Sequence, residues 1–188
     1  MERIGDLGLP CRTRFTVVDA LARSIIFQQL NGKAAETIFG RMQQLLGVRQ
    51  VTARALSAVS VEELRTAGVS NAKARALKDL AEHARARRLP SPDALHEMSD
   101  EDAVARLTVV RGVGPWTVQM LLMFRLGRCD ILPLSDYGVR AGAQLVHELP
   151  ALPSTAELSQ LGAAWSPYRS LASLYLWRAL DSARDGTS

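Results

Sequence analysis

Leu107–Asp136, LTVVRGVGPWTVQMLLMFRLGRCDILPLSD, decides how the rest of the chain is read. An apolar segment ends at Arg111, the chain turns through Gly112-Val113-Gly114, and Pro115 stands where a helix would begin. An apolar helix then runs to Gly127, so residues 107–126 read as a helix, a hairpin and a helix. The two glycines remove the Cβ atoms that would block a sharp turn, and they let the hairpin N–H groups approach a ligand closely. Pro115 suits the first helical position and needs no N–H partner, which leaves the unpaired donors and the positive helix end beside the glycines. A phosphate is the natural guest. The loop 128–136 carries Pro133 and ends at Ser135-Asp136, at the head of another helical pattern (Val139, Ala143, Val146). Asp136 is therefore a carboxylate at a helix start.

The 188 residues suffice for one compact domain or two small lobes with a real core. At 47% hydrophobic and 22% charged, the chain has an ordinary globular composition, so disorder is not the expectation. The net charge of +4 is unevenly spread: residues 1–94 hold 15 Lys+Arg against 9 Asp+Glu, and residues 95–188 hold 8 against 10. Much of the excess lies in Asn71–Pro90, with Lys73, Lys78 and several arginines, which suits a polyanion or simply a solvated helix face. Cys11 and Cys129 are the only cysteines, and two lone thiols read as reduced core residues rather than a disulfide. With no signal-peptide pattern at the start and no run of membrane-spanning length, the expectation is an intracellular, cytoplasmic protein in a reducing compartment, with no membrane partner.

Elsewhere the pattern is helical. Val17, Val18, Leu21 and Ile25 recur at helical spacing, as do Ile38, Met42 and Leu45 after Gly32. Ser60-Val61-Glu62-Glu63 is a capping-box pattern for a short helix that Gly68 would end. A longer helix spans residues 71–87 until Pro90 and Pro92 break it, and Ser99-Asp100-Glu101-Asp102 starts the helix that leads into the hairpin. Further helices are expected at 137–148, 155–164 and 167–184, the last opening with Pro167. Strand alternation is missing, so the fold class is all-α, with about nine or ten helices. A weak internal echo, Gly68-Val69-Ser70-Asn71-Ala72-Lys73, repeats the hairpin's place between helices; it reads as an unrelated turn, or as a second loop where Lys73 adds a phosphate contact.

Taken in order, Ser24–Ala35 (SIIFQQLNGKAA), GVGPWT at 112–117 and SDYGVRAG at 135–142 resemble the helix-hairpin-helix DNA glycosylases, and most closely their 3-methyladenine DNA glycosylase II branch. The likeness covers residues 15 to 182. It implies one glycosylase domain over residues 1–188, two-lobed and helical, with no room for the separate β-domain of some members. It also implies a monomer acting on double-stranded DNA with a damaged base. The four-cysteine iron–sulfur cluster of some relatives is not expected, because no cysteine follows residue 129.

The chemistry follows from the bond to be cut. As the bond from C1′ to the base nitrogen lengthens, positive charge develops on the sugar, and a fixed carboxylate stabilises it or activates the attacking water. Glycoside hydrolases meet a similar state with two carboxylates; an alkylated purine already carries positive charge, so one can suffice. From spacing alone Asp136 reads as a helix N-cap, contributing about 1 kcal/mol, before it reads as a catalytic group, and Ser135 can share that duty; the resemblance reverses the order and makes Asp136 the catalytic residue. Lysines are three, Lys33, Lys73 and Lys78, and Pro115-Trp116 stands where bifunctional relatives hold their Schiff-base amine, so the enzyme is expected to be monofunctional, with water as nucleophile.

Aromatic residues make up only 5% of the chain, yet every Trp and Tyr lies after residue 115. A flipped base needs stacking faces, and a cationic base gains roughly 0.5–2 kcal/mol per good face. The resemblance assigns Trp116 and Tyr168 to this pocket, with Met120 where the best-known members have tyrosine; Trp165 and Trp177 read as core. It places Gly112, Val113, Gly114 and Thr117 on the DNA backbone, with Lys33 and Lys73 as basic contacts. The wedge that fills the vacated stack falls in the loop Gln28-Gln29-Leu30-Asn31, with Leu30 or Asn31 first and Gln29 next. The carbonyls of Thr108, Val110 and Val113 are, by the same resemblance, a seat for a structural monovalent cation; no other cofactor is expected, and His83, His96 and His147 lack metal-ligand spacing. Two other readings stand beside removal of alkylated bases: a glycosylase for oxidised, deaminated or etheno bases, and a non-catalytic helix-hairpin-helix DNA-binding module.

Overall fold

The computed structural model describes Gly8, residues 14–30 and residues 32–185. Among the described residues the structure is all-helical: α1 (Val17–Phe27), α2 (Gly32–Leu46), α3 (Ala53–Ala58), α4 (Val61–Thr66), α5 (Asn71–Arg85), α6 (Pro92–Glu97), α7 (Asp100–Leu107), α8 (Pro115–Phe124), α9 (Tyr137–Val146), α10 (Thr155–Ala163) and α11 (Arg169–Asp185). Eight of these open on a side-chain cap in which Thr16, Thr52, Ser60, Ser70, Ser91, Ser99, Asp136 or Ser154 accepts the N–H three residues on. Such a bond satisfies one of the four orphan donors of a helix start.

Helices α3 and α6 are additions to the sequence reading. Each has six residues and buries a single large apolar side chain, Leu56 or Leu95, too few for a period to show. Their signal lay in Thr52 and Ser91, and Pro92 proves to be a first-turn residue rather than a breaker. Helix α5 stops at Arg85, short of the expected Arg87, which itself takes the left-handed φ of 54°. Helix α9 ends at Val146 before Glu148 at φ 51°, and α11 starts at Arg169 rather than Pro167.

The chain divides into two compact units, Arg14–Leu121 and the segment from Leu122 onward. In the N-terminal unit α1 packs on α2 and α5, and α5 also packs on α3 and α4. Its core includes the fully buried Leu21, Ile25, Ile26, Met42, Leu56, Leu64, Leu77 and Leu80. In the C-terminal unit α9 lies along α11 over a cluster of Leu132, Val139, Ala143, Leu158 and Leu176, with Leu134, Trp165 and Trp177 packed against it. Gly142 permits that approach, since a Cβ there would sit 2.3 Å from the Leu176 carbonyl oxygen.

The basic run on α5 is partly structural. Lys78 donates to the carbonyls of Leu56, Ser57 and Val59 at 2.9, 3.2 and 2.6 Å, which closes the C-terminus of α3. Cys129 is an exposed thiol rather than a core residue, and Cys11 lies outside the described residues. Among the described residues no helix is long and apolar enough to cross a membrane.

Candidate active site

The N-terminal unit carries the hairpin. Gly112 holds φ at +76°, and a Cβ there would stand 3.3 Å from the Ala76 Cβ, so the turn needs glycine both for its backbone and for its approach to α5. The Arg111 N–H is taken by Asp79 at 2.7 Å and the Val113 N–H by the Val110 carbonyl at 3.0 Å. Among the described residues the Gly112 and Gly114 N–H groups have no partner, and they sit at the start of α8 where its dipole is positive.

This geometry narrows the expected contacts. Val113 is buried with its N–H engaged, so the two glycines, not Val113, present the donors. Thr117 is only 3% exposed and its hydroxyl faces Gln28, which removes its side chain from any external phosphate. Lys73 is engaged within the unit: its ammonium donates to the Ile26 and Gln28 carbonyls at 2.8 and 2.7 Å. It closes the C-terminus of α1, and partial burial there lowers its pKa from the ordinary lysine value. Lys33 is exposed on the first turn of α2.

The loop after α1 is drawn to the hairpin by Gln28, whose side-chain amide donates to the Gly112 carbonyl at 2.8 Å and, at a longer 3.4 Å, to the Thr117 hydroxyl. Gln29 follows at the left-handed φ of 55°, and Leu30 is 38% exposed. Asn31 lies outside the described residues. Trp116 and Met120 stand one turn apart on α8 and so share a face; Trp116 is exposed and Met120 half-buried. Of the carbonyls assigned to a cation, that of Val110 already accepts the Val113 N–H. As neutral oxygens, the three suit a hard monovalent ion.

The C-terminal unit carries Asp136. It is the N-cap of α9, its Oδ1 accepting the Val139 N–H at 2.8 Å. The same oxygen accepts the Trp177 indole N–H, also at 2.8 Å. Trp177 stacks on Phe124, with ring centroids 6.3 Å apart and planes inclined by 27°. Gly138 leaves the room: a Cβ there would lie 2.7 Å from Trp177 Cδ1, 2.9 Å from its Nε1 and 3.1 Å from Asp136 Oδ1. Reading Trp177 as core caught the apolar ring and missed the N–H. Trp165 does sit against the core and stacks on His147 at 5.9 Å.

Tyr168 is 62% exposed and is presented by a polar knot. Arg169 makes a bidentate pair with Asp130, 2.7 and 2.8 Å, while Ser166 donates to the same carboxylate at 2.9 Å. Hydrogen bonds from Arg169 and Ser166 outweigh desolvation and hold the Asp130 carboxyl at about 2. Ser170 is buried and ties Arg128 to Ile131, donating to the former's carbonyl at 2.7 Å and accepting the latter's N–H at 2.9 Å. The stretch leading to Asp136 is thus stitched to both sides of Tyr168. The structure therefore gathers Gln28–Leu30, the hairpin and Lys73 in one unit, and Asp136, Trp177 and the Tyr168 segment in the other. The sequence placed Gln28 in the wedge loop without its bond to the hairpin, and it left Asp79, Asp130 and Gly138 unassigned; the glycine inside SDYG was the one local signal.

A helix-hairpin-helix with a glycine-cornered turn, followed by a capped aspartate, defines a class of DNA-repair protein. Over residues 22–167 the chain matches the model of the HhH-GPD superfamily base excision DNA repair protein, and it belongs to that family. It is 34% identical over 161 residues to DNA-3-methyladenine glycosylase 1 of Schizosaccharomyces pombe, covering 85% of this chain and 71% of that one. A crystal structure of DNA-3-methyladenine glycosidase from Bacillus halodurans superposes with a TM-score of 0.83 at 35% identity, over 93% of this chain and 80% of that one. The Schizosaccharomyces pombe 3-methyladenine DNA glycosylase Mag1, in complex with abasic DNA, gives 0.81 at 31% identity, over 94% and 89%.

Proposed function

We infer that this chain is a monofunctional DNA glycosylase that hydrolyses the N-glycosidic bond of alkylated bases of the 3-methyladenine type, in base excision repair. The observation that carries the reading is Asp136, a carboxylate fixed by two donors on one oxygen at the head of α9. Set against C1′ of an extruded nucleotide, it stabilises the cationic sugar and orients the water that replaces the base. The Gly112 and Gly114 N–H groups take a backbone phosphate, which positions the DNA without reading sequence. Stacking on the flipped base is assigned to Trp116, Met120 and Tyr168, each taken by itself, and filling of the vacated stack to Leu30 with Gln29 beside it. The carbonyls of Thr108, Val110 and Val113 would hold a monovalent cation, whose charge supports the phosphate.

The absence of a lysine from the hairpin favours water over an amine nucleophile. The reading takes duplex DNA as the partner, a monomer as the working form and the reducing cell interior as the compartment. The test is incubation with methylated duplex DNA, then alkali to reveal abasic sites, comparing the native chain with Asp136→Asn. The expected loss is about 10²-fold or more, roughly 2.7 kcal/mol. An undiminished rate removes Asp136 from the mechanism, and a borohydride-trapped protein–DNA adduct removes water as the nucleophile.

A further inference from the structure

We propose that Gln28 is a positioning residue that locks the gap-filling loop to the phosphate-gripping hairpin, so that backbone capture and insertion into the base stack act as one rigid element. The inference rests on the functional reading of those two elements given above. Three observations carry it, all within the N-terminal unit.

The Gly112–Val113 peptide is held from both sides: its C=O accepts the Gln28 amide at 2.8 Å and its N–H donates to the Val110 carbonyl at 3.0 Å. A glycine-flanked peptide is otherwise the freest in a chain to rotate, and this plane sets the direction of the Gly112 and Gly114 N–H groups on either side. Second, the Gln28 main chain is itself anchored, its carbonyl accepting the Lys73 ammonium at 2.7 Å. Third, the next residue, Gln29, sits at φ 55°, a region that a residue with a side chain rarely adopts, and Leu30 projects beyond it. The root of an unfavourable turn is thus fixed to α5 through Lys73 and to the hairpin through the Gln28 side chain. Asp79, bonded to the Arg111 N–H at 2.7 Å, joins α5 to the hairpin as well.

The test uses Gln28→Ala and Gln28→Glu; the latter keeps the shape but removes the N–H donors and turns a carboxylate toward the Gly112 carbonyl. Three readouts are taken: excision from methylated duplex, affinity for undamaged duplex across a salt series, and fluorescence of 2-aminopurine placed beside a tetrahydrofuran abasic site. Both variants should lose between about tenfold and a hundredfold in excision, as misplaced reacting groups do. For Gln28→Ala, which adds no charge, the salt dependence of undamaged binding should stay native, because the phosphate donors remain. The 2-aminopurine signal should fall, and combining Gln28→Ala with Leu30→Ala should lose less than the product of the single losses, since one acts through the other. A native excision rate in Gln28→Ala beside an impaired Leu30→Ala overturns the coupling. So does a multiplicative double variant, or a loss of undamaged binding that matches the loss of excision. Native behaviour in Leu30→Ala instead overturns the gap-filling role on which the proposal rests.

Discussion

Gly138→Ala adds one methyl group where the structure has no room for it. The new carbon would fall 2.7 Å from Trp177 Cδ1, 2.9 Å from Nε1 and 3.1 Å from Asp136 Oδ1, whereas carbon atoms prefer about 3.5–4.0 Å. Trp177 is a rigid plane, stacked on Phe124 and packed against the cluster around Leu132 and Val139, so it has little space to retreat. Overfilling a packed site of this kind costs about 1–3 kcal/mol of stability. The larger effect is on rate, because an indole displaced by the better part of an ångström no longer bonds Oδ1 at 2.8 Å, and the carboxylate loses a donor that fixes it. A displacement of that size at reacting groups costs on the order of a hundredfold. The assay is single-turnover excision from methylated duplex together with a thermal melt. Gly40→Ala serves as control: it lies inside α2 with nothing within 4 Å of the added carbon, and should gain about 0.5–1 kcal/mol with native activity. A native rate in Gly138→Ala would show that the Trp177–Asp136 contact does not govern the carboxylate, and the derivation of its fixed orientation would fail.

Two further perturbations test the scaffold. Lys73→Met removes the ammonium from the Ile26 and Gln28 carbonyls and should cost about 1–2 kcal/mol, lowering Tm by about 2–8 °C, while the exposed Lys33→Met leaves Tm unchanged; equal melting points would return Lys73 to the surface. Asp130 has its carboxyl held at about 2 against an ordinary 3.8, so its contribution is complete above pH 4, roughly, and is lost as pH falls through 2. With the Arg169 side chain 37% exposed, solvent screening keeps that contribution on the order of 1 kcal/mol. Urea melts at about pH 5 and about pH 3 should therefore differ more for the native chain than for Asp130→Asn; equal differences would refute the pair's role.

What the sequence made legible was local. The hairpin announced itself because glycine, glycine and proline each act on their own dihedrals, and the capping box at Ser60 and Glu63 appears with both bonds, at 2.6 and 3.0 Å. The parts it hid join distant residues: Gln28 and Gly112 are 84 positions apart, Asp136 and Trp177 are 41. A side-chain amide or an indole N–H has no periodicity to betray its partner. The charge run on α5 misled for a related reason. Composition reports that Lys73 and Lys78 are cationic, and only the packing of α1 and α3 on α5 shows that both ammonium groups meet helix C-termini. With those two lysines engaged, the electrostatic attraction of this unit for a polyanion falls to its arginines, Lys33 and the backbone donors at Gly112 and Gly114.

For Asp136 the sequence offered two roles as rivals, a helix cap and a catalytic carboxylate; the structure shows the cap, and the proposed catalytic role is compatible with it. A lone aspartate on a loop has two freely rotating torsions, and a carboxylate that rotates cannot present an oxygen to a developing cation without first losing that freedom. Here the Val139 N–H and the Trp177 N–H both bind Oδ1, which fixes the carboxylate plane and with it the direction of Oδ2. The cap bond supplies part of the preorganisation before any substrate arrives, which is the form in which electrostatic stabilisation lowers a barrier. Beginning α9 at the carboxylate proposed to react would therefore do more than stabilise a helix: on that reading the rigidity of α9 and α11, packed closely through Gly138 and Gly142, becomes the rigidity of Asp136.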